Sequence, residues 1–228
     1  DGRGSVGPEA PEYRDAMFQL GRVLSSRERW PEAVEVLETA IKRYPGDPRT
    51  PEYAARTGLA WIALAQEAAA HLEQTPLAPG RRADVLAARR EAFERAVERL
   101  GEAIAALDQT STSTATLDPL ERQLLRMAYL RRADATAGLG KYEEAMEQFA
   151  AIERRFGDEV AAIEALMRMS NLAIENGDAD VAQRATMRAS IKLRRFDPAI
   201  TGGPGVFDGL ESDTLSQWMS LQPPGGDE

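Results

Sequence analysis

Apolar residues recur along this chain at helical spacing, in paired runs broken by short stretches rich in glycine or proline. The clearest run covers 83–107, where Leu86, Phe93, Leu100 and Leu107 fall every seven residues, and Val97 and Ile104 follow four behind Phe93 and Leu100. So narrow a stripe suits a long antiparallel hairpin with the helix before it. Leu20 and Leu24 in one run and Leu37 in the next predict a second seam near the N-terminus. The pattern as a whole predicts helices over about 11–27, 31–44, 51–72, 83–107, 118–138, 142–155, 159–175 and 179–194.

Start and stop signals support this division. Pro11 and Pro31 stand at first helical positions, where a missing N–H is not needed. Thr50-Pro51-Glu52 opens the third helix, and Asp118-Pro119-Leu120-Glu121 opens the fifth with an N-cap and a glutamate three residues after it. Turns are expected near 27–30, 74–82, 138–140 and 176–178. The stretch 74–82 holds two prolines and a glycine and reads as a loop, and 109–116 reads as a polar, β-branched linker that stops the helix before it. Residues 1–10 read as a glycine-rich flexible lead-in and 199–228 as a glycine- and proline-rich tail. In that tail Ser212-Asp213 offers an N-cap, and Leu215, Trp218 and Met219 share one stripe, predicting a short capping helix near 213–221.

Small residues set a register. Counting from Arg14, Leu20, Gly21, Ala33, Leu37, Ala40 and Pro45 occupy positions 7, 8, 20, 24, 27 and 32. Glycine and alanine at 8 and 20 let two helices cross closely, and proline at 32 ends the second helix. This spacing resembles the tetratricopeptide repeat, a 34-residue helix–turn–helix module. The second-helix alanine recurs at Ala96, Ala145 and Ala182, with intervals of 63, 49 and 37 residues. Gly58 and Trp61 are the best candidates for positions 8 and 11 of the second unit. The third unit has Ala133 at position 8 and Phe149 at 24; the fourth has Ser170 at 8 and departs from the pattern with Thr186 at 24. In the third, Ile152 and Gly157 stand in place of the alanine and the proline.

The resemblance implies an all-α, right-handed solenoid of about four irregular helical pairs, near 11–45, 51–108, 118–157 and 159–195, followed by the capping segment. Loose spacing, together with Lys42-Arg43-Tyr44-Pro45 and Arg154-Arg155-Phe156, also resembles the bacterial cell-envelope branch of that superfamily. Members there include the β-barrel assembly lipoprotein and the Tol–Pal coordinator, which implies a periplasmic or envelope location. The long second pair exceeds a standard repeat by 29 residues (63 minus 34), so its tip is expected to project either as a contact site or as a lengthening without a role.

In the tetratricopeptide family, first-helix positions 2, 5, 9 and 12 line a concave groove. Carried over, these are Asp15, Phe18, Arg22 and Ser25, then Met127, Leu130, Asp134 and Ala137, then Glu164, Met167, Asn171 and Ile174. Lysine and asparagine at positions 5 and 9 of a carboxylate clamp are replaced by Phe18/Arg22, Leu130/Asp134 and Met167/Asn171. The expected occupant is therefore an amphipathic helix or extended apolar segment of another protein. The rival expectation is that these side chains pack against the neighbouring helix or the chain's own tail.

Composition narrows the chemistry. A net charge of −9 argues against nucleic acid, and arginine pairs such as Arg81-Arg82, Arg89-Arg90 and Arg131-Arg132 sit beside acids at helical spacing. No cysteine is present, which removes disulfides, thiolate metal sites and cysteine nucleophiles. His71 is the lone histidine, with no nucleophile motif around it, and reads as a surface residue near a helix C-terminus. Asp178-Ala179-Asp180 lacks the sixth-position glycine and twelfth-position glutamate of a calcium loop. Gly202-Gly203-Pro204-Gly205 lacks the lysine of a phosphate loop. No stretch approaches the ~20 apolar residues of a membrane span. The expectation is thus a scaffold with no catalytic residue, metal or cofactor, binding another protein or peptide, with self-association allowed. The rivals are a regulatory module of a larger multidomain protein, a self-assembling envelope component, and an enzyme using unrecognised carboxylates.

Overall fold

The computed structural model describes residues 10–112, 117–157 and 159–195, and among these residues it is all-helical. The helices are α1 (Pro11–Ser26), α2 (Trp30–Arg43), α3 (Thr50–Gln74), α4 (Pro79–Thr112), α5 (Pro119–Gly138), α6 (Tyr142–Phe156), α7 (Val160–Glu175) and α8 (Ala179–Arg195). They fall into two compact units that divide after Ile152. Residues 1–9 and 196–228, and with them the expected capping helix at 213–221, lie outside the described residues.

In the first unit each helix packs on the next from α1 to α5, while α1 also touches α3 and α3 touches α5. First helices of successive pairs therefore stack on one another, with second helices wedged beside them, as in a helical solenoid. Two glycines set how closely the pairs close. A Cβ added to Gly21 would lie 2.7 Å from Leu37 Cγ, and one added to Gly58 would lie 2.6 Å from Leu100 Cγ. Each leucine follows a fully buried alanine by four residues, Ala33 and Ala96. The second pair thus repeats the packing of the first despite its extra length. Ala133 and Phe149, both buried, hold the same two positions in α5 and α6. Leu20 does not fill the seam as expected: it is 48% exposed, and Phe18 goes into the core instead.

Helix α4 differs from its expected bounds at both ends. It begins at Pro79, so the break is only 75–78, because proline at a first-turn position costs no hydrogen bond. It also continues to Thr112 through part of the run read as a linker. Serine and threonine disfavour helix by only about 0.5 kcal/mol each, too little to stop an established helix at once. Between α4 and α5 the chain restarts as its sequence indicates: Asp118 Oδ1 accepts from Glu121 N–H at 2.8 Å, and Glu121 Oε2 accepts from Asp118 N–H at 3.0 Å.

The α3–α4 hairpin has a supported and an unsupported half. Phe93, Leu100 and Leu107 are buried, but Leu86, the fourth member of the seven-residue series, is 44% exposed. No residue of 66–91 is buried.

The α1–α2 turn carries local strain. Glu28 sits at φ 57°, a left-handed conformation that glycine adopts in the corresponding turns, Gly140 at φ 75° and Gly177 at φ 79°. A side chain there costs roughly 1–2 kcal/mol, partly offset by the greater freedom glycine has when unfolded. Glu28→Gly is expected to stabilise the protein by about 0.5–1 kcal/mol, read as a rise in thermal midpoint. An unchanged or lower midpoint would show that the turn is relaxed as it stands.

The second unit comprises the last turn of α6 with α7 and α8. Here Ser170 and Thr186 take the positions of Gly21 and Leu37, and their hydroxyls meet at 2.8 Å. Ser170 Oγ also donates to the Ala182 carbonyl at 3.3 Å. The departure at Thr186 is therefore a matched exchange: an apolar contact gives way to a satisfied polar pair. Buried Glu153 pairs with Arg188, and Lys192 Nζ donates to the Gly157 carbonyl at 2.8 Å, tying α8 to the end of α6.

Candidate protein-binding surface

The groove positions separate by burial. Phe18 is fully buried, and Leu130 and Met167 are 4% and 5% exposed. These three apolar residues belong to the core and offer no surface to a partner, which corrects the expectation of an apolar groove. The position-2 and position-9 residues stay at or near the surface. Asp15, Arg22 and Asn171 are exposed, and Met127, Asp134 and Glu164 are half-buried. Asp134 faces Arg131 at 3.4 Å and Glu164 faces Arg168 at 2.6 Å, each within its own helix. What remains accessible is therefore mainly polar.

Phe18 is occupied by the junction between the first two pairs. Its ring stacks on Tyr53 with centroids 3.7 Å apart and planes at 7°, and Tyr44 closes on it at 6.2 Å. The Arg49 guanidinium lies 4.9 Å from the Phe18 centroid. That guanidinium donates to Asp47 Oδ2 at 2.9 Å and Asp15 Oδ1 at 2.7 Å, and Arg14 faces Asp47 at 3.2 Å. The run Arg43-Tyr44-Pro45-Gly46-Asp47, read from sequence as a helix end, thus supplies an aromatic plug and a buried carboxylate that clasp α1 to α3.

Charges in this clasp are held firmly. Hydrogen bonds from Arg49 keep the Asp47 and Asp15 carboxyls below the ordinary value of 3.8, against the opposing effect of burial. The same bonds raise Arg49, and burial raises the Tyr53 phenol. Because native Asp47 binds its proton more weakly than the unfolded chain does, its contribution is complete above pH ~4 and is lost as pH falls through the lowered native value. Stability measured by denaturant is expected to decline below pH ~4, and Asp47→Asn is expected to flatten that decline. An unchanged slope in the variant would place the acid sensitivity elsewhere. A second clasp joins α2 to α4, where Glu38 receives Arg99 Nε at 2.9 Å and Trp61 Nε1 at 3.4 Å.

An open feature of the first unit lies beside α4. Leu86, Ala87, Arg89 and Arg90 face Ala137, Gly138, Leu139 and Gly140 across an open cleft of about 610 Å³. Gly138 allows α5 to end against Phe93, since a Cβ there would lie 2.5 Å from the ring. Arg89 lies over the same ring at 5.3 Å, and its buried Nε makes no hydrogen bond among the described residues. The cleft therefore combines an exposed leucine, an unmet N–H donor and the exposed Arg90. The sequence places 86–107 in a seam and a turn near 138–140, but nothing in it joins residues some fifty positions apart.

The remaining candidates have local roles. Exposed His71 reaches the Thr75 hydroxyl at 3.5 Å, and Asp178 Oδ1 caps α8 by accepting from Val181 N–H at 3.1 Å. Among the described residues no three His, Asp or Glu side chains are grouped to hold a metal, and no helix is long and apolar enough to cross a membrane.

Against known proteins, the tetratricopeptide repeat family model matches residues 6–48 and, overlapping them, 18–71. No curated protein matches the chain. The matched residues span α1, α2 and most of α3, and the glycine–leucine crossing they contain recurs in α3–α4. The chain is thus similar, over its first three helices, to the tetratricopeptide repeat, a module that generally mediates protein–protein interaction.

Proposed function

We propose that this chain is a non-catalytic scaffold that holds a segment of another protein, seated in the cleft beside α4. The observation that carries this reading is Leu86. It continues an apolar series whose other members are buried, yet it stands exposed beside Arg89 and Arg90. An amphipathic segment would cover Leu86 and Ala87 with an apolar side chain and offer a carbonyl or carboxylate to the two arginines. The second reading keeps the surface positions of the helix-A face, Asp15 and Arg22 on α1 and Met127 and Asp134 on α5, as the contact, supported by the family's usual groove.

Capture from source-cell extract separates the two. Leu86→Glu with Arg90→Glu alters only exposed residues and leaves helicity intact; it is expected to abolish capture, while Arg22→Glu leaves it unchanged. The opposite result would move the site to the helix-A face. The helix-end runs around Tyr44 and Phe156 extend the proposal to a bacterial cell-envelope assembly. Tyr44 packs against Phe18 and Phe156 is buried, so these runs also have a packing role. Fractionation of source cells is expected to find the protein in the envelope; a purely cytosolic pool would remove that setting while leaving the cleft proposal intact.

A further inference from the structure

Among the described residues, one face of helix α8 stays uncovered. Ala182, Ala185 and Ala189 are buried, and on the opposite side Met187 and Ile191 are 59% and 45% exposed. Four residues apart, these two side chains stack along the middle of the exposed face. Basic residues surround them. The helix carries Arg184, Arg188, Lys192, Arg194 and Arg195 against one acid, Asp180. Arg188 and Lys192 are engaged with α6 and the residue after it, whereas Arg184, Arg194 and Arg195 form no ion pair among the described residues. The result is an apolar strip with a cationic border.

Residues 196–228 have the complementary composition. They contain Asp197, Asp208, Glu211, Asp213, Asp227 and Glu228 and not one lysine, arginine or histidine. Leu215, Trp218 and Met219 recur at i, i+3 and i+4, directly after the acids at 208, 211 and 213. An acidic segment with one apolar stripe is what a basic helix with one apolar strip would bind, since contact covers the apolar groups and pairs the charges together. The span permits it. Leu215 lies twenty positions after Arg195, a reach of up to ~66 Å, against a length of ~25 Å for α8.

We propose that the acidic C-terminal segment around Leu215, Trp218 and Met219 docks on the α8 face of its own chain. Met187 and Ile191 receive the apolar stripe, while Arg184, Arg194 and Arg195 face Asp208, Glu211 and Asp213. The tail then acts as an intramolecular ligand of α8.

The test uses the full-length chain with Trp30→Phe and Trp61→Phe, so that Trp218 alone reports. Its emission is expected to be blue-shifted and shielded from acrylamide, unchanged on tenfold dilution, and less shielded as salt rises. Met187→Glu with Ile191→Glu, both at exposed positions, is expected to remove the shielding while the circular dichroism of the helices stays the same. Arg184→Glu with Arg195→Glu should weaken it in part. A water-exposed Trp218 in the monomer would overturn the proposal. So would shielding that ignores the α8 variants, which would place the tail on another surface, or shielding that disappears on dilution, which would make the occupied face that of a second copy.

Discussion

Replacing Phe18 with alanine is expected to destabilise the N-terminal repeats by roughly 3–5 kcal/mol, read as a lower urea midpoint with little change in slope. The ring is fully buried and is held by Tyr53, Tyr44 and the Arg49 guanidinium at once. Alanine would leave a cavity and strip Tyr53 and Arg49 of their common partner. Arg49 would still bond Asp47, so the loop would keep its charges while losing its plug. Tyr53→Phe offers a contrast, since it keeps the stacked rings and is expected to cost far less than Phe18→Ala. If Phe18→Ala melted with the parent, α1 would have to be anchored by something other than this cluster. The same reasoning applies to polar substitution at Phe18, Leu130 and Met167 together: unfolding, rather than a folded protein that has lost its partner, is the expected result.

Gly21→Leu is expected to destabilise by about 1–3 kcal/mol or more. Even the first added carbon would lie 2.7 Å from Leu37 Cγ, and Leu37 is fully buried, with no open side toward which it can turn. The cause is overlap with one named side chain, so the effect should be correctable. Leu37→Ala alone opens a cavity, but in the Gly21→Leu background it frees the space the new leucine needs. The double variant should therefore be more stable than the sum of the two single changes predicts, a coupling reserved for residues in contact. Gly46→Ala, with nothing within 4 Å of the added carbon, is the control and should be nearly neutral. Simple additivity at Gly21 and Leu37 would mean that the crossing is not made by this pair.

Much of the fold could be read because its determinants are local. Proline and aspartate at helix starts and glycine at the turns each act within a few residues of where they stand, and Gly21 and Ala33 of the first crossing lie within one short helical pair. Gly58 was a weak match to position 8 by sequence alone, since its partner Leu100 lies 42 residues away (100 minus 58), beyond the inserted arm. The groove was less legible for a physical reason. Family positions state which way a helix face points, but they do not say what fills the space opposite. At Phe18 that space is taken by Tyr53, supplied by the next helical pair, and the Arg49–Asp47 pair that holds the arrangement lies in the intervening loop. Leu86 was misread in the opposite sense. Its spacing placed it in the seam, but α5 ends against Phe93, two turns before Leu86 would be covered.

That unsupported half of the α3–α4 hairpin has a consequence for how the chain tolerates change. Residues 66–91 include no buried residue, and the turn at 75–78 joins the two helices at the tip of the arm. Extending such a turn adds little closure entropy, because that term grows only with the logarithm of loop length. A peptide or small domain spliced in between Pro76 and Ala78 would leave the glycine crossings and the Arg49 clasp untouched. The arm is therefore the natural place to graft a foreign epitope or reporter onto this scaffold.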